Sequence, residues 1–146
     1  MKEPSVVLLS CCVRYVNMKH EAIRLTRGSD LKEEIKKMNI KAGYVASAVG
    51  CVTKARIRLA DGKTVASWEE PFEIVSLMGT LSEDGPHLHI SLADAKGKVI
   101  GGHLMDGCII NTTCELVIAD LSDEYAFTRE FDAETGYDEL EINKKV

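Results

Sequence analysis

One segment, from Gly85 to His103, restricts the fold more than any other part of the chain. It reads GPHLHISLADAKGKVIGGH and contains three of the four histidines. Polar and apolar residues alternate in its first half, a pattern typical of a β-strand with one buried face. His87 and His89 therefore lie on the same polar face as Ser91. The second half predicts a return strand, so the segment indicates a hairpin with histidines on one side.

The loop from Asp94 to Lys98 decides whether the third histidine joins that face. In a three-residue loop the two end residues pair, and Gly97 takes the left-handed backbone that glycine tolerates. Cβ atoms of directly opposed residues are then roughly 4.5–5.5 Å apart. A two-residue loop would shift the register by one and move His103 to the other face. With the three-residue loop, the predicted cross-strand pairs are His89 with His103 and His87 with Met105.

Three neutral imidazoles on one face are a typical ligand set for zinc, although nickel, cobalt, copper or iron would accept the same donors. Three protein ligands leave a fourth position open to water or a small molecule. Gly101 and Gly102 lack side chains, so we expect space for a ligand beside the site. The alternative is that these histidines are surface or hydrogen-bonded core residues. Because a cluster is more informative than a single histidine, we predict a metal site at His87, His89 and His103.

A carboxylate near the start of the apolar segment from Pro71 to Gly79 is a second candidate for chemistry. Glu73 needs a partner if the strand is buried. We assign it a catalytic role near the metal, either taking a proton from bound water or orienting a histidine ligand. Strict alternation places Glu73, Val75 and Leu77 on one face. The alternative is a salt bridge or a solvated strand end.

Length and charge limit the class of protein. The 146 residues read as a single domain over 1–146, without a linker or repeat. No apolar run of about 18 residues is present, so we expect no membrane partner. The net charge of −5 disfavours a DNA-binding surface over the whole monomer. Lys54, Arg56 and Arg58 form a basic strip whose default interpretation is a solvated face; contact with an anion or nucleic acid is the alternative.

The cysteines indicate a cellular compartment. The five cysteines lie at positions 11, 12, 51, 108 and 114. No pair has the spacing of a zinc knuckle or a redox motif. Their apolar surroundings predict core packing in a reducing compartment, so we expect a cytoplasmic protein. A ligand or reactive role for Cys108 or Cys114 is the alternative, because both follow the histidine hairpin.

One helix is strongly indicated. Asp30 and Glu33 resemble a capping box in which Glu33 reaches back to the N-cap, and Glu33 also lies four residues before Lys37. An apolar stripe at helical spacing consists of Leu31, Ile35 and Met38. The rest predicts short strands separated by turn residues. The strands are expected at 5–13, 20–26, 46–52, 55–59, 72–79, 87–93, 99–103, 108–118, 126–132 and 140–142. This pattern predicts an α+β domain with one main helix and either a curved mixed sheet or a half-barrel.

These motifs, in their order, resemble the PPC (plant and prokaryote conserved) domain family. The matching segments are 28–31, 42–43, 48–50, 72–79, 87–89, 101–104, 107, 115–118, 127–129, 132 and 135–136, and together they span almost the whole chain. The resemblance implies an α+β fold with a curved, mainly antiparallel, half-barrel-like sheet that assembles as a homotrimer. It also implies a metal, zinc in first place, at the positions of His87, His89 and His103.

The resemblance leaves two classes of function open. The first is a trimeric zinc protein that binds a small-molecule ligand or substrate at the three histidines. The second is a DNA-associated regulatory or scaffolding protein, as implied by plant relatives in which AT-hooks accompany this domain. The chain contains no AT-hook and is acidic, so we favour the metal-binding class.

Overall fold

The computed structural model describes residues 19–146, which contain nine strands and one helix. The elements are β1 (Lys19–Thr26), α1 (Leu31–Lys37), β2 (Ala42–Arg58), β3 (Val65–Trp68), β4 (Phe72–Ser82), β5 (Gly85–Ala93), β6 (Val99–Leu104), β7 (Ile109–Asp120), β8 (Tyr125–Asp132) and β9 (Tyr137–Lys144). The strand expected at 5–13, with Cys11 and Cys12, lies outside the described residues. The helix is too short to cross a membrane, and no other helix occurs between residues 19 and 146.

Seven strands form one curved antiparallel sheet in the order β1-β7-β2-β4-β5-β6, with β3 paired to β2. The far end of β2 also pairs with β6, which brings Arg58 opposite His103. Strands β8 and β9 form a separate antiparallel hairpin. The predicted α+β class is therefore confirmed, with a curved sheet and a single short helix.

Strand β2 is one long element, although the sequence predicted two strands at 46–52 and 55–59. It spans 17 residues and shifts register against β7 at three places, near Val45, Gly50 and Val52. Such bulges insert an unpaired residue and bend the strand without ending it. The prediction of two separate strands was wrong because the polar residues between them occupy a bulge. The single bulged strand pairs with both β7 and β6.

The helix begins as predicted but pairs its charges differently. The Asp30 carboxylate accepts hydrogen bonds from the backbone N–H groups of Lys32 and Glu33, so Asp30 is the N-cap. The predicted return of Glu33 to the N-cap and its pair with Lys37 are both absent; the Glu33 carboxylate instead accepts from Lys36, 2.7 Å away. The apolar stripe faces the core, where Leu31 and Ile35 are fully buried.

A bulge at Val75 changes the faces of β4. Ile74 pairs with Leu92, whereas the next pair is Ser76 with Ser91. The extra residue reverses the alternation beyond it, so Leu77 is buried and Met78 is 66% exposed. The predicted shared face of Glu73, Val75 and Leu77 was therefore wrong at Leu77.

Candidate metal centre

The hairpin loop between β5 and β6 has the predicted three-residue form. The Asp94 N–H donates to the Lys98 carbonyl at 2.9 Å, and Gly97 has a φ of +77°. The Asp94 carboxylate accepts from the N–H groups of Lys96 and Lys98, which fixes the turn. This register places His89 directly opposite His103, as predicted.

His87 lies two residues beyond the end of the β5–β6 ladder, which stops at His89. Its cross-strand partner is Thr80 on β4. The predicted pair of His87 with Met105 was wrong, because the Met105 N–H donates to the carbonyl of Arg56 on β2. His87 still shares a strand face with His89, so the histidine cluster does not depend on that pair.

The three imidazoles form a compact cluster. One nitrogen from each of His87, His89 and His103 lies within 4.8 Å of the other two. The ring centroids are 5.1 to 5.8 Å apart, and the rings are tilted against one another. Two nitrogens bound at a tetrahedral angle to one zinc ion, each about 2.1 Å from it, are about 3.4 Å apart. Binding of one ion would therefore draw the three donors together from separations of up to 4.8 Å.

The protonation states also suit a metal. Burial, followed by the charges of Arg58 and Lys32, lowers the pKa of His103 to about 4. Burial lowers the pKa of His87 as well, with further contributions from Arg129 and His89. Within residues 19–146 the buried His103 Nδ1 atom has no hydrogen-bond partner. Neutral imidazoles and an unpaired buried nitrogen fit a set of metal ligands.

A cavity of about 660 Å³ opens above the cluster. One wall carries the histidines, and the opposite wall comes from the β8–β9 hairpin through Arg129, Tyr137 and Glu139. Arg58 lines the cavity beside His103. The volume of the cavity is in the range of small-molecule sites, about 300–1,000 Å³. The sequence analysis missed Arg129 as a site residue, although it falls in a segment that carries the family resemblance.

The glycines beside the site allow strands to approach one another closely. A Cβ on Gly102, whose φ is +156°, would lie 2.6 Å from the Arg58 carbonyl oxygen. A Cβ on Gly79 would overlap the carbonyl oxygen of His87. Gly101 and Gly102 do line the cavity, as predicted. The absence of a side chain at both positions also lets the neighbouring backbone pack closely against them.

Glu73 is not brought to the histidines within the described chain. It is exposed and pairs with Cys51 on one side and Ala93 on the other. Ala93 lies four residues along β5 from His89, or about 13 Å. Glu73 also does not line the cavity. Its catalytic role stays a prediction that these contacts do not support.

The cysteines and basic residues singled out in the sequence lie in several different environments. Cys108 and Cys114 are buried free thiols whose pKa burial raises to about 11, so both pack in the core as predicted. The basic strip divides among three environments. Lys54 pairs with Glu69 at 3.0 Å, Arg56 donates to the Asp106 carbonyl at 3.2 Å, and Arg58 faces the cavity.

Comparison with known proteins decides the family. The sequence model of the Plants and Prokaryotes Conserved (PCC) domain matches residues 15–122, about three quarters of the chain. The chain belongs to the PCC domain family. The predicted resemblance is thereby confirmed, under the alternative spelling of the same domain name.

Solved structures share the fold of this PCC domain. A hypothetical protein from Salmonella cholerae-suis has a TM-score of 0.81 at 34% identity, covering 88% of this chain and 96% of its own. A metal-containing protein from Archaeoglobus fulgidus has a TM-score of 0.64 at 33% identity, covering 83% and 91%. A plant- and prokaryote-conserved protein from Pyrococcus horikoshii has a TM-score of 0.66 at 26% identity, covering 84% and 91%.

Curated relatives are much longer proteins. Two proteins from Synechococcus strains, each called bifunctional protein GlmU, are 48% and 46% identical over 126 and 130 residues. The match covers 84% and 86% of this chain but 20% of each relative. The PCC domain thus spans about a fifth of the length of those relatives.

Proposed function

We propose that this PCC domain binds one divalent transition ion, zinc in first place, and presents it to a small ligand. The ligands are His87, His89 and His103. The observation that carries the proposal is the approach of three imidazole nitrogens to within 4.8 Å on an open strand face. The metal-containing relative from Archaeoglobus fulgidus, at 33% identity, supports the same assignment.

The chain contributes both the donors and the shape of the site. The hairpin fixes His89 against His103, and the alternation of β5 holds His87 on the same face. Three histidines leave a tetrahedral position free, and the 660 Å³ cavity gives a small molecule access to it. A zinc ion bound there would act as a Lewis acid that polarises a ligand oxygen.

We infer that the domain assembles as a homotrimer in the cytoplasm. Large apolar side chains are exposed on strands of the main sheet: Val49, Val75, Met78 and Val99, each more than half exposed. Exposed apolar side chains of this size are common at interfaces with another chain. The free thiols of Cys51, Cys108 and Cys114 suit a reducing compartment.

The DNA-associated alternative receives less support from the placement of charge. The cations of the basic strip do not form one free surface, because Lys54 is ion-paired and Arg58 faces the cavity. Non-specific DNA affinity comes mainly from such free cations, through release of counterions. The net charge of −5 also opposes it.

Elemental analysis of protein purified without chelator or added metal tests the proposal. We expect about one zinc per chain, with each of His87→Ala, His89→Ala and His103→Ala losing most of it. His20→Ala is the matched control, because His20 is an exposed histidine on β1, far along the sheet order from β5 and β6. Full metal content in all three site variants would place the metal elsewhere.

A further inference from the structure

Two arginines flank the histidine cluster from different parts of the fold. Arg58 lies directly opposite His103 in the β2–β6 pair, so the two side chains lie on the same face. Arg129 reaches across from β8, and its guanidinium donates to the Thr80 hydroxyl at 3.4 Å. Thr80 is the cross-strand partner of His87. One guanidinium therefore lies beside each end of the cluster.

Neither guanidinium has a carboxylate partner among residues 19–146. Arg58 is half-buried, and its side chain makes no ion pair or hydrogen bond within that part of the chain. In the same part of the chain the Arg129 guanidinium donates only to neutral oxygens, those of the Thr80 hydroxyl and the Asp138 carbonyl. A charged guanidinium at the wall of a partly desolvated cavity favours an anionic partner.

None of the acidic residues around the cavity forms an ion pair with either guanidinium in the described chain. The Asp84 carboxylate accepts from the backbone N–H of Arg129 at 2.8 Å. Asp138 and Glu139 are exposed at the rim, on β9. Glu139 raises the pKa of His87, but this effect is smaller than those of burial and of the neighbouring cations, which lower it.

The ligand set itself adds no negative charge. Three neutral histidines would hold a dication between two guanidiniums. The positive charge of Lys32 adds to theirs and also lowers the pKa of His103. Like charges in a partly buried site repel strongly, because the effective dielectric constant there is well below that of water. An anion at the free coordination position removes this imbalance.

The geometry points to a small organic anion as the ligand of this cavity, with a carboxylate or phosphate group held between Arg58 and Arg129. The anion would occupy the open position of the ion, so this inference rests on the proposed metal function. The volume of about 660 Å³ exceeds that of an inorganic ion and leaves room for an organic body. The wall toward Leu59, Pro86 and Tyr137 offers that body apolar contact.

Isothermal titration calorimetry of the zinc-loaded protein tests the inference with three matched probes. Benzoate carries a carboxylate, phenyl phosphate carries a phosphate, and benzamide is the neutral counterpart of benzoate. We expect at least one of the two anions to bind more tightly than benzamide, and the tighter of the two identifies the group. Benzamide binding as tightly as both anions would overturn the inference.

Substitution of the arginines identifies the contacts. Arg58→Gln and Arg129→Gln should each weaken binding of the preferred anion by roughly 10- to 100-fold, the usual effect of losing a charge-assisted hydrogen bond. Arg24→Gln is the control, because Arg24 is an exposed arginine on β1. Unchanged affinity in both site variants would overturn the inference.

Elemental analysis of the same samples separates the two proposals. Variants that keep zinc but lose the anion support both the metal site and the arginine contacts. A parent protein without metal would contradict the proposed function and the placement of the anion on the ion. Calorimetry of the arginine variants against the anion would still decide whether the guanidiniums form its binding site.

Discussion

His103 links the proposed metal site to the stability of the fold. Its pKa is lowered to about 4 in the folded chain, mainly by burial, from 6.5 in the unfolded chain. Between these values the unfolded chain binds more protons than the folded one, so the free energy of unfolding rises with pH there. This contribution is fully present above about pH 6.5 and is lost as the pH falls toward 4.

We therefore expect the metal-free protein to lose stability from about pH 6.5 downward. His103→Gln should reduce the slope of that loss, leaving the part due to His87, whose pKa is lowered as well. Denaturant unfolding at several pH values between 4 and 6.5 measures both slopes. An equal slope for His103→Gln and the parent would contradict the expectation.

Substitution of Glu73 tests whether a carboxylate acts at the ion together with the three histidines. In the described chain it lies about 13 Å along the sheet from His89. We expect Glu73→Gln to retain full metal content and to leave the pH titration of the cobalt-substituted site unchanged, as followed by its visible absorption. A shifted titration would show that Glu73 does act at the ion, which in an assembly would require approach from a neighbouring subunit.

The β5–β6 hairpin could be predicted from its sequence, because its register depends on local chemistry. Gly97 supplies the left-handed residue and Asp94 caps the loop, so the pairing of His89 with His103 followed from the loop length. The bulge at Val75 and those in β2 could not be predicted, because they depend on contacts between strands distant in sequence. The pair of Arg58 with His103 could not be predicted for the same reason, because it also joins strands that are distant in sequence.

The register of the β5–β6 pair is therefore the element-scale variable that controls the site. Deleting Val99, with the loop from Asp94 to Lys98 kept, shifts the rest of β6 by one residue, so that His103 lies opposite Ile90 on the core face. We expect this variant to lose most of its zinc, as measured by elemental analysis. Deletion of Lys63, in the loop between β2 and β3, is the control for removing one residue elsewhere. Full zinc content in the Val99 deletion would contradict the register argument.

The whole molecule has an exposed apolar sheet surface that its own helix does not cover. Val75 is 57% exposed on β4, and Met78 is 66% exposed on the same strand. If this surface joins copies of the chain, a charge there should oppose assembly, because a charge is costly to bury. The sequence alone did not indicate this surface, since strict alternation placed Met78 with the buried residues of β4.

We expect light scattering to give a mass near three times 16.1 kDa for the parent and a smaller mass for Val75→Glu. Lys63→Glu, which changes charge in an exposed loop, should keep the parent mass. A parent that stays monomeric at micromolar concentration would contradict the trimer, and an unchanged mass for Val75→Glu would place the interface elsewhere.

The cavity also arises only at the scale of the whole molecule. Its histidines come from β5 and β6, Arg58 comes from β2, and Arg129 comes from the separate β8–β9 hairpin. The sequence supplied the histidines because they are close along the chain. It did not indicate the second wall, because Arg129 lies 26 positions after His103 on a strand that never pairs with theirs.

Anomalous scattering from a crystal of the protein, recorded on both sides of the zinc absorption edge, tests the central claim most directly. We predict one anomalous peak per chain, about 2.0–2.1 Å from a nitrogen of each of His87, His89 and His103. Density for a fourth ligand should point into the cavity between Arg58 and Arg129. A metal-loaded crystal with its peak away from these histidines, or with a fourth protein ligand closing the site, would contradict the account.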